Sequence, residues 1–123
     1  MRPLELALTL CVLASAATAQ EARTGTFRDA GGHGASGGVS LQAVEGGYRI
    51  EFDDDFRIDR APDPYVAFGS AEAFAPGTDF VVLEQRRGEQ SYAVPTTIDP
   101  AEFDAIWIWC REFGVPLGVA ELR

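Results

Sequence analysis

Short strand-like runs, each cut off by a turn signal, follow one another along this chain, and that rhythm restricts it to an all-β sandwich or barrel. Val39 to Val44, the turn Glu45-Gly46-Gly47 and Tyr48 to Phe52 read as a hairpin. Tyr48, Ile50 and Phe52 share one face of it, and Arg49 and Glu51 the other. Thr24 to Arg28 precedes this pair, and Tyr65 to Phe68 and Phe80 to Leu83 follow it. Arg86-Arg87-Gly88 turns into Gln90 to Val94, and the runs Ala105 to Cys110 and Leu117 to Leu122 close the domain. The exception is one helical turn within Asp99 to Asp104. There Asp99 is placed to cap, Pro100 suits the first helical position, and Glu102 has capping-box spacing. The fold class expected is a small antiparallel β-sandwich or partly open barrel.

The first nineteen residues stand apart from this pattern. Arg2 supplies a positive start, Leu6 to Ala16 is an unbroken run of apolar and small residues, and Ala17-Thr18-Ala19 is a cleavage site before Gln20. Residues 1–19 therefore read as a secretory signal peptide and 20–123 as one domain, periplasmic or secreted. The apolar run falls short of the roughly 20 residues needed to span a bilayer, and no later run is a membrane helix. The net charge is −9, and all ten basic residues are arginine. Such acidity argues against nucleic acid, which demands a basic face, and the lack of lysine excludes Schiff-base chemistry.

Cleavage would remove Cys11 and leave Cys110 as the lone thiol of an exported domain. Such a cysteine is a buried core residue, half of an intermolecular disulfide, a cofactor ligand or a redox thiol. Period-two counting puts Cys110 in phase with Ile106 and Ile108, and turns Trp107 and Trp109 the other way. Both faces of this run are apolar, so it is expected to be a central strand. If the strand continued, Glu112 would share the face of Cys110 and Arg111 would lie opposite.

The chain resembles the DM-thirteen domain across nearly all of residues 20–123. The matching features are His33 and Gly37 in a Gly-rich loop, the segment Tyr48 to Phe56, and Pro62-Asp63 before a strand. Further on come Gly88-Glu89-Gln90-Ser91-Tyr92, Ile108-Trp109-Cys110 with Phe113, and Gly118 to Leu122. The spacing from Gly88 through Cys110 to Ala120 is the specific part. One departure is Pro64-Tyr65, where a leucine usually follows the Pro-Asp pair. The resemblance implies a small all-β extracytoplasmic domain for electron transfer, sometimes fused beside DOMON and b-type cytochrome modules. Its cysteine would act as a bare thiol or as ligand to a prosthetic group.

Elimination narrows the cofactors. Iron–sulfur clusters and c-type haem need cysteines that this chain lacks, and blue copper needs a second histidine. No methionine remains after cleavage to act as an axial ligand, and a closed zinc site would need carboxylates for most of its ligands, which argues against it. Non-covalent haem survives, with Cys110 as thiolate ligand, His33 opposite, and Trp109, Trp107, Phe103 and Phe113 as apolar walls. His33 equally reads as a loop histidine bonded to backbone. Gly32-His33-Gly34-Ala35-Ser36-Gly37 matches a nucleotide-binding pattern only formally, because a strand rather than a helix follows it. Asp53-Asp54-Asp55 fails the calcium-loop pattern and reads as a solvated turn, partly neutralised by Arg57 and Arg60.

Two functions remain. One is an accessory redox domain acting on a redox protein partner through Cys110, rather than a stand-alone enzyme. The other is a non-catalytic envelope-protein binding module in which Cys110 is core.

Overall fold

A computed structural model describes residues 22–123, so the expected signal peptide at 1–19 lies outside the described residues. The strands are β1 (Arg23–Asp29), β2 (Gly38–Val44), β3 (Gly47–Phe52), β4 (Pro64–Gly69), β5 (Val81–Val82), β6 (Gln90–Ala93), β7 (Ala105–Cys110) and β8 (Val115–Glu121). Their order is β5-β4-β7-β8-β1-β2-β3-β6, with every pairing antiparallel. The eight strands curl into a nearly closed barrel. Among the described residues no helix is long and apolar enough to cross a membrane.

Period-two alternation explains the core. Ile50 and Phe52 of β3 point inward and are buried, with Tyr48 packed against them. From β7, Ile106, Ile108 and Cys110 join the same interior. Phe52, Phe27 and Phe56 form a triangle of rings, with Phe52 5.4 Å from Phe27 and 4.6 Å from Phe56, and Phe27 5.3 Å from Phe56. Each such ring contributes about 1.5–3 kcal/mol by leaving water.

β1 is the seam of the barrel. Arg23 to Thr26 pair with β2, and Phe27 to Asp29 pair with β8. The first and last strands of the described chain are thereby neighbours. One barrel end is plugged by the segment after β3, which drives Phe56 and Ile58 into the core. Bridges Ser36↔Arg57 and Arg57↔Arg87 clamp this segment on both sides. Gly37 is required where the chains cross. Its φ is 92°, and a Cβ there would strike the backbone of Asp55 and Phe56.

At the gap between β5 and β6, side chains do what backbone does elsewhere. Gln90 accepts from the Gln85 N–H at 3.1 Å and donates to the Gln85 carbonyl at 2.8 Å, as a paired strand would. The Tyr92 hydroxyl accepts from the Glu84 N–H at 2.9 Å and bonds the Gln90 Oε1. Burial outweighs the Glu84 N–H bond and pushes the Tyr92 phenol above its usual value, which keeps it a donor.

The helical turn is a single 3-10 turn, Pro100–Glu102. Asp99 accepts from the Ala101 N–H at 3.0 Å, and the cap residue Phe103 is already extended, so the turn propagates no further. Arg57 pairs with Asp59 at 2.8 Å rather than with the acidic turn, which corrects that sequence expectation. Asp55 instead accepts from the Gly38 N–H at 2.9 Å.

Candidate functional site

β7 delivers Cys110 to the inner face of the barrel at the strand's last residue, with 0% of its surface exposed. The strand stops there because residues 111–114 turn back into β8, and the Gly114 N–H closes the turn on the Cys110 carbonyl at 2.9 Å. Gly114 takes a φ of 61°, a conformation that costs other residues energy. Glu112 consequently lies on this turn and not on the cysteine's strand face. Among the described residues the one polar contact of Sγ is the Phe113 N–H at 3.4 Å, a weak bond to a sulfur acceptor. The Phe113 ring itself is 63% exposed. A buried thiol thus lies one turn below solvent.

Trp109 stands on the other side of the sheet. It belongs to a second, outer cluster with Ala67, Ala105, Trp107 and Val119, where Phe74 stacks on it at 3.9 Å with planes 7° apart. Trp107 donates Nε1–H to the Ser70 carbonyl at 2.9 Å. The loop after β4 thereby covers this outer aromatic face. Arg111 also turns outward, with its Nε 2.8 Å from an Asp79 carboxylate oxygen and its guanidinium 3.5 Å above the Tyr65 ring. None of these groups faces the thiol.

His33 lies in the loop after β1, and its Nδ1 is 3.0 Å from the Arg60 carbonyl. Its own carbonyl accepts from the Asp59 and Arg60 N–H groups, so the loop holds the segment that plugs the barrel. The residue that orders this loop is Asp29. Its carboxylate accepts from the N–H groups of Gly32, His33 and Gly34 at 2.7–2.8 Å. Desolvation, the largest single influence, would raise its pKa, but the backbone donors of residues 32–35 together outweigh it and hold the pKa below the ordinary carboxylate value. Asp29 was not among the residues singled out from sequence. The signal was an aspartate three to five residues ahead of Gly32-His33-Gly34, a spacing that suits side-chain capping of a tight loop.

The sequence of structural features from the His33 loop to the Cys110 turn is also what the family comparison covers. A family model described as Electron transfer DM13 matches residues 26–122. The chain belongs to the DM13 family. The match takes in every strand but the first residues of β1, so the barrel as a whole is the DM13 electron-transfer domain. No curated protein and no solved structure matches the chain.

Haem does not fit the DM13 barrel as it is packed. Cys110 points into an interior filled by its own side chains, and neither main surface groove reaches it. Trp109 is on the opposite face of β7, and His33 is tied to Arg60 in a surface loop. Cys110 and Trp109 therefore line different compartments, and the Nδ1 of His33 is engaged with the Arg60 carbonyl.

Proposed function

We propose that this DM13 domain is an exported electron-transfer module that uses Cys110 as a bare thiol, sealed in the resting fold and reached by opening the 111–114 turn. The observation that carries the reading is the position of Sγ. It lies at a strand end under one exposed turn, with the Phe113 N–H as its polar contact. Opening that turn breaks the Gly114-to-Cys110 bond, the Arg111 N–H bond to the Asp63 carbonyl and the Arg111–Asp79 pair, and leaves the strand ladder intact. Local openings of this kind cost less than global unfolding.

Once reached by water, the thiol loses its proton to solvent. The thiolate then attacks a disulfide of a redox protein partner, forming an S–S bond to Cys110 while the partner's other sulfur leaves as thiolate. Cys110 is oxidised and the departing partner sulfur is reduced, while the partner's other sulfur stays in the mixed disulfide with Cys110. Export follows the leader at 1–19, and amino-terminal sequencing of the protein recovered from the periplasm is expected to begin at Gln20.

The test is the rate at which a small aromatic disulfide reagent labels Cys110 in native buffer. Labelling well ahead of global unfolding, and faster still in Gly114→Ala, is the expected result. A labelling rate equal to the unfolding rate would sink the bare-thiol reading. The complete burial of the thiol favours a second reading in that event, an envelope binding module with Cys110 as core.

A further inference from the structure

Most arginines of this acidic chain are committed to visible partners. Arg23 and Arg28 bond backbone carbonyls, Arg49 pairs with Glu51, Arg86 bonds the Asp59 carbonyl, and Arg111 pairs with Asp79. Arg87 is different. It sits directly opposite Arg57 in the clamp over the barrel end. The flanking bonds, from Ile58 N–H to the Arg86 carbonyl and from Gly88 N–H to the Phe56 carbonyl, are both 2.9 Å. That pattern makes Arg57↔Arg87 a non-hydrogen-bonded pair, the type that brings side chains closest. Phe56 and Ile58 point inward, so Arg57 and Arg87 point out together and both are exposed.

Like charges directly opposite one another destabilise a sheet. Asp59 offsets part of the charge through Arg57, but Arg87 itself has no ion pair among the described residues, and Glu89, two residues along, pairs with neither arginine. Asp59 takes only the Nε of Arg57, at 2.8 Å, which leaves its terminal nitrogens available. On the other flank of Arg57, Ser36 is its hydrogen-bonded neighbour across the bridge and carries an exposed hydroxyl with no partner among the described residues. Natural sequences break such local rules at functional sites, and here the rule is broken with Arg87 left unpaired among the described residues.

We propose that Arg57 and Arg87, with the Ser36 hydroxyl beside them, bind one tetrahedral oxyanion, a phosphate or sulfate group of a ligand at the barrel end. Two guanidinium forks match the oxygens of such a group, and the anion removes the repulsion between them. The site is far too small a basic feature for nucleic acid in a chain of net charge −9. It is independent of the role of Cys110.

Inorganic phosphate and sulfate are the probes, titrated into the purified exported protein against sodium chloride at matched ionic strength. Saturable thermal stabilisation by both anions is expected, together with shifts of the Arg57 and Arg87 side-chain NMR signals. Arg87→Gln should weaken binding by about tenfold or more. In chloride the same variant should be at least as stable as the parent, because a like-charge contact is gone. General salting effects of sulfate are unsaturable and would act equally on the variant. The proposal is overturned if phosphate and sulfate act no differently from chloride, if Arg87→Gln keeps the full response, or if that variant is less stable in chloride.

Discussion

Asp29 shows how one carboxylate can order a loop that its own backbone cannot. Three consecutive N–H groups of the Gly31–Gly34 region converge on it, and their carbonyl-side contacts hold Asp59 and Arg60 in place. Because the folded carboxyl is more acidic than an unfolded one near about 3.9, its contribution is fully present above that value. The contribution is lost as pH falls through the folded value, on the acid side of about pH 4. Melting curves of the parent should therefore lose stability in that window, and Asp29→Asn should lose less there while starting lower at neutral pH. Hydrogen exchange at Gly32 to Gly34 reads the same effect locally. Cys110 invites a second residue-scale measurement. Placing a hydroxyl in its apolar site, Cys110→Ser, should cost about 1–3 kcal/mol in denaturant unfolding. The inward phase of Cys110 was legible from period-two counting. The role of Asp29 was not legible in the same way, because it depends on residues 32–34 turning their N–H groups back onto its carboxylate.

Strands were legible almost throughout, since each apolar run sits between turn signals that leave it no other conformation. The run Phe80 to Leu83 contracts to β5 at Val81–Val82, yet Phe80 and Leu83 still donate to the Val66 and Pro64 carbonyls. β7 is central as its two apolar faces required, with β4 on one side and β8 on the other. The strand ends at Cys110 because Gly114 permits a tight return, which is why Glu112 never reaches the cysteine's face. Gly114→Ala should cost about 1 kcal/mol, measured by urea unfolding, from forcing a Cβ into a positive φ. The stitch at the barrel gap had no sequence signature, because a glutamine side chain pairing with backbone depends on where β6 lies relative to residue 85. Gln90→Ala should lose about 1–2 kcal/mol there and raise amide exchange at Gln85 before the rest of the barrel.

The barrel as a whole is held by pairings between distant parts of the chain, above all β1 with β8. Refolding should accordingly take milliseconds to seconds rather than microseconds, as followed by stopped-flow tryptophan fluorescence. A chain cut before β8 should not fold, because β7 and β1 would both lose a central neighbour. The amino-acid sequence by itself determined the all-β class, nearly every strand, the inward phase of Cys110 and the kinship with DM13 domains, since all of these rest on local alternation and spacing. Tertiary structure alone decided that the loop after β4 covers the outer face carrying Trp107 and Trp109, and that His33 serves a loop held by Asp29. It alone also set Arg57 against Arg87. Those facts depend on which strand ends meet around the barrel, and period-two alternation is silent about partners separated by tens of residues.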